Sequence, residues 1–139
     1  MQSADFFSGI ESGQIALRDA GRLSGKDVDA IARVGAAALT GGRFEQAEQV
    51  FVALTALEPK VGLHWLHVAV ARQGKGDVAG AVAALGNALS AVDGDNEDVA
   101  RALLLRAELT GRSDPQAARA DLGRARALAS PAAKKLVDA

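Results

Sequence analysis

Apolar positions in this chain fall into short stripes at helical spacing, separated by glycines or charged stretches. Ile31, Val34, Gly35 and Ala38 recur three and four apart, which places them on one helical face, and Gly41-Gly42 then ends the helix. Phe44, Ala47, Phe51 and Leu54 make a second stripe, closed near Pro59. The pattern returns 34 residues on: Gly42-Arg43-Phe44-Glu45-Gln46-Ala47, with Phe51 and Leu54, meets Gly76-Asp77-Val78-Ala79-Gly80-Ala81, with Leu85 and Ala88. By the same offset Ile31, Val34, Gly35 and Ala38 meet Trp65, Val68, Ala69 and Arg72. A fainter third copy lies 37 residues further, where Ala118, Leu122 and Ala125 match Ala81, Leu85 and Ala88. In that copy Arg106 falls where a small residue belongs; with a turn one residue shorter after Thr110, Ala107 takes that place. Each unit therefore predicts two helices joined by a tight turn.

Local signals mark the ends of these elements. Ser24 and Asp27 form a capping pair that opens the first repeat helix. Asp114-Pro115 and Ser130-Pro131 each place a cap residue before a proline at the first helical position. Upstream, Ile10, Ile15, Ala16 and Leu17 predict a short amphipathic helix whose apolar stripe must be buried somewhere, and a weak homodimer through Ile10, Ile15 and Leu17 is the expected use of it. The expected organisation is a lead-in over residues 1–26, three repeats within 27–128 (about 28–61, 62–95 and 99–129) and a capping helix over 130–139 with Lys134 and Lys135 on its polar face. Seven or eight helices in one array follow.

A 34-residue helix-turn-helix period with these residues resembles the tetratricopeptide repeat, TPR. Trp65, Gly35 or Ala69, Ala47 or Ala81, Phe51, Ala88 and Pro59 stand where that motif has Trp, a small residue, Ala, an aromatic, Ala and Pro. The fold class implied is all-α, with helical hairpins in a right-handed superhelix. The resemblance further implies a concave groove lined by the first helix of each unit: Asp29, Ala32, Ala36 and Leu39; then Leu63, Leu66, Val70 and Gln73; then Ala100, Leu103, Ala107 and Thr110. Most of these side chains are apolar, so the groove either receives a partner peptide or is covered by the chain's own terminal helix or a second copy.

Composition agrees with helices and narrows the chemistry. Of 139 residues 31 are alanine, the best helix former, and there is no Tyr, one Trp and no Cys. Without Cys, disulfides and thiolate zinc sites are excluded. Sixteen Lys and Arg against 17 Asp and Glu give a net charge of -1, which lacks the basic footprint of a nucleic-acid binder. No apolar run approaches the roughly 18 residues of a membrane span, and residues 1–5 lack the start of a signal peptide, so a cytoplasmic location without membrane insertion is expected. His64 and His67, three apart, could share a metal, but no Cys or carboxylate joins them at ligand spacing, and surface or groove histidines are the expectation. Asp93, Asp95, Glu97 and Asp98 lack the Gly and Glu that a calcium loop needs, and Gly74-Lys75-Gly76 is a repeat turn rather than a phosphate cradle. No enzyme, metal or cofactor is expected.

One TPR family matches more widely. Ser12-Gly13-Gln14-Ile15-Ala16-Leu17, then Leu23 to Asp27, then Gly42-Arg43-Phe44-Glu45-Gln46-Ala47, resemble the N-terminal half of class II type III secretion chaperones of the SycD/LcrH type. Val50-Phe51-Val52-Ala53-Leu54-Thr55-Ala56-Leu57 is similar to their second helix, and Ala71-Arg72-Gln73 followed by Gly76 to the end of their next. The likeness implies a cytosolic bacterial chaperone that keeps a hydrophobic translocator subunit soluble before export, with Leu39, Leu63, Leu66 and Val70 on the client and residues 10–17 in a dimer. The alternative is an adaptor that joins two folded proteins. The chain departs from the family in having no Tyr and in carrying Glu58-Pro59 where an aromatic turn is usual.

Overall fold

The computed structural model describes residues 23–91 and 95–128, and the expected lead-in helix, with Ile10, Ile15 and Leu17, and the capping helix after Ser130-Pro131 lie outside them. Six helices follow one another: α1 (Gly25–Thr40), α2 (Phe44–Leu57), α3 (Gly62–Gly74), α4 (Val78–Ser90), α5 (Asn96–Thr110) and α6 (Pro115–Leu128). There is no strand among the described residues. Each helix packs on the next, and α3 also touches α5, as stacked hairpins require.

The starts obey the sequence signals. Ser24 accepts from the Asp27 amide at 3.2 Å while Asp27 accepts from the Ser24 amide at 2.9 Å, a complete capping box. Asp77, Asp95 and Asp114 cap α4, α5 and α6 through the amides of Gly80, Asp98 and Ala117. After α1 and α3 the chain reverses through Gly42 and Gly76, whose φ values of 73° and 82° are open to glycine at little cost. There the N-cap amides of Arg43 and Asp77 donate back to the carbonyls of Ala38 and Arg72.

Ile31, Phe51, Leu54, Val68, Leu85 and Leu103 are fully buried in a core that runs through all three hairpins. Small residues set the spacing. A Cβ on Gly35 would lie 2.8 Å from the Phe51 ring, so α1 and α2 approach closely only because that residue is glycine. Ala38, Ala47 and Ala71 form a second buried cluster where α1, α2 and α3 converge. At about 25 cal/mol per Å², the apolar burial of these side chains is the main source of stability.

Polar links fasten the first repeat to the second. Arg72 on α3 donates from Nε to Glu48 on α2 at 2.6 Å and from Nη1 to the Gly80 carbonyl on α4 at 3.1 Å. Lys75 pairs with both Glu45 and Glu48 at 2.7 Å. Burial pushes the Glu48 carboxyl up, but the hydrogen bonds from Lys75 and Arg72 outweigh it and hold the group below its ordinary range. The same contacts hold the Lys75 ammonium above its own.

Candidate partner-binding face

The face in question belongs to α1, α3 and α5, and its composition depends on the register of the third hairpin. In α6 the N-cap amide of Asp114 donates to the Thr110 carbonyl, four residues back, whereas Arg43 and Asp77 donate five residues back. No left-handed glycine intervenes, because Gly111 has φ -57°. The third turn is therefore one residue shorter, and Ala107, 6% exposed, holds the small-residue position of Gly35 and Ala69.

This register corrects two expected groove residues. Leu103 is fully buried in the position of Ile31 and Trp65, and Ala107 is packed as just described, so neither faces outward. Their places on the face pass to Arg101, Leu104 and Glu108, all exposed and spaced three and four apart. Ala100 and Thr110 are half-buried, and the Thr110 hydroxyl donates to the Arg106 carbonyl. Leu66 is a third correction: only 7% exposed, it belongs to the core.

The remaining residues stay accessible to differing degrees. Asp29 and Ala36 on α1 are exposed; Ala32 and Leu39, with Leu63, Val70 and Gln73 on α3, are half-buried. Ala32, Leu39 and Leu63 spend part of their surface on the core, whereas Val70 and Leu104 do not. The apolar positions outside the core cluster are thus the exposed Ala36 and Leu104 and the half-buried Val70, one on each first helix. Charges flank them: Arg101 Nη2 lies 2.8 Å from Glu97 and its Nη1 3.9 Å from Asp98. Burial, and the neighbouring Asp95, raise the Asp98 carboxyl, with Arg101 opposing.

Of the two histidines, His64 lies elsewhere than expected and His67 is half-buried. His64 is buried, and its Nε2 donates to Glu58 Oε1 at 2.7 Å. His67 sits against Phe51, with ring centroids 4.5 Å apart. No cluster of three metal-binding side chains occurs among the described residues. The residue pair that sequence reasoning missed is Arg106 and Asp121, joined by two bonds of 2.7 Å between α5 and α6. Its signal was available, since Asp121 stands where α2 and α4 carry Val50 and Ala84, and a carboxylate at a core position requires a cation opposite.

No protein-family model matches the chain, and no curated protein does. Solved structures match over most of its length. PcrH in complex with the chaperone binding region of PopB superposes with a TM-score of 0.72 at 23% identity, over 84% of this chain and 93% of that one. PcrH with the corresponding region of PopD gives the same score and identity over 84% and 86%. The Yersinia enterocolitica type III secretion translocator chaperone SycD gives 0.73 at 21% identity, over 85% and 87%. The fold is that of these helical-repeat chaperones. Among the described residues no helix is long and apolar enough to cross a membrane.

Proposed function

We propose that the chain is a non-enzymatic, cytoplasmic chaperone of type III secretion that holds an extended apolar segment of a translocator-type client along the concave face of α1, α3 and α5. The observation that carries this reading is the superposition on PcrH, a protein of the same hairpin stack seen with the chaperone binding regions of two partners. The local chemistry supports it. Ala36, Val70 and Leu104, with the exposed parts of Ala32, Leu39 and Leu63, offer aliphatic surface that gains only from a partner able to replace water there. Residues 1–26, with Ile10, Ile15 and Leu17, serve self-association in this reading, and 130–139 close the stack.

Binding of a few hundred Å² of apolar surface, less the cost of ordering an extended peptide, gives an affinity on the order of micromolar, about -8 kcal/mol. The test is the double substitution Val70→Glu and Leu104→Glu. Neither side chain is committed to the core, so the helical circular dichroism spectrum should persist. Protein purified from its own host should bring down a secreted protein with long apolar segments, largely insensitive to salt, and the double variant should not. Equal recovery with the variant would show that the client lies elsewhere.

A further inference from the structure

Two imidazoles on α3, the buried His64 and the half-buried His67, each carry a ring nitrogen with no partner. His64 Nε2 lies 2.7 Å from Glu58 Oε1, and its Nδ1 is buried with no partner. His67 Nδ1 is likewise buried without a partner. The His67 ring meets Phe51 of α2 at 4.5 Å and a tilt of 39°, in the crease where the first repeat rests on the second. The charged and titratable groups that face it are His64 from its own helix and Arg101 from α5; α2 presents the Phe51 ring. None of these accepts a proton-bearing nitrogen as a carboxylate would. A neutral imidazole suits this place, because its flat face packs on the phenyl ring like another aromatic. An imidazolium does not: it is desolvated and faces an arginine, and attraction to the ring face returns only part of that cost.

We infer that His67 is an acid-sensitive joint between repeats one and two, sealed while the ring is neutral and loosened when it takes up a proton, so that mild acid slackens the stack formed by α1, α2 and α3. Burial first, then His64 and Arg101, holds the imidazole below its usual range near 6.5. A depressed histidine means that the unfolded chain takes the proton first. The stability it confers is complete above about pH 6.5 and is lost as the pH falls from there through the lower folded-state value. Glu48, whose carboxyl is also depressed, begins to lose its contribution only below its ordinary value of 4.5, whereas that of His67 begins to fall below about 6.5.

The full chain supplies the test. In an NMR titration the His67 ring proton should report a midpoint below that of a free imidazole. Between pH 7 and pH 5 the thermal midpoint of the wild type should fall by about 5 °C more than that of His67→Phe, which keeps an aromatic ring on Phe51 but cannot titrate. His67→Gln, smaller and also uncharged, provides the same comparison should phenylalanine overfill the crease. A His67 midpoint at or above about 6.5 overturns the inference, and so does an equal fall in the wild type and both variants.

Discussion

The first two hairpins and the third solve the same packing problem by different means. In α2 and α4 the residue at the crease is Phe51 or Leu85, fully buried because another hairpin follows and covers it. In α6 the same position holds Leu122, 43% exposed, and the residue before it is Asp121 rather than Val50 or Ala84. Apolar creases thus join one hairpin to the next, whereas the third is tied internally, by the fork from Arg106 to the buried Asp121. A repeat's core residue has value only in proportion to what is stacked on it.

The largest test of this contrast is Phe51→Ala against Leu122→Ala. The first should cost about 3 to 5 kcal/mol through lost burial and a cavity, the second no more than about 0.5 kcal/mol. Urea denaturation with an unchanged m-value measures both, and similar losses would mean that Leu122 is covered after all. Next in size is Arg106→Leu, which removes the cation from a carboxylate only 5% exposed and should cost about 2 kcal/mol. Adding Asp121→Leu should recover much of it, because a matched apolar pair replaces a buried ion pair at little loss. A double variant as unstable as the single one would show that the fork contributes net stability. The smallest effect concerns the turns. Gly42→Ala must place a side chain at φ 73° and should lose about 1 kcal/mol, whereas Gly111→Ala, at φ -57°, should change thermal stability by less than half of that.

The same contrast explains what could be read from the chain. The 34-residue offset of Gly42, Ala47 and Phe51 determined the first two hairpins because each residue type there has one physical purpose: a left-handed turn, a close approach, a crease filler. Ser24 with Asp27, and Asp114 before Pro115, marked helix starts for equally local reasons. The third hairpin was ambiguous because a glycine at 111 is compatible with either turn, and only the hydrogen bond from Asp114 to Thr110 decides between them. Once that register is known, Leu103 and Ala107 move into the core and Leu104 moves out. Leu66 and His64 were misplaced for another reason: a helix packed on both sides buries more of its circumference than a single stripe predicts. Both belong to α3, the middle first helix, with a hairpin on either flank.

Contact between neighbours in sequence, with α3 and α5 the only further pairing of note among the described helices, also governs how the protein is made. Local contacts imply fast folding, in the millisecond range or below. A ribosome adding roughly 5 to 20 residues per second needs about 2 to 7 s for one 34-residue unit. Each hairpin therefore has seconds in which to form before the next one emerges, and the part of the Phe51 ring not packed on Gly35 stays open until α3 has been synthesised. Translation thus assembles the stack in order from the N-terminal end, and for a few seconds the first crease exposes apolar surface that the helix filling it later covers.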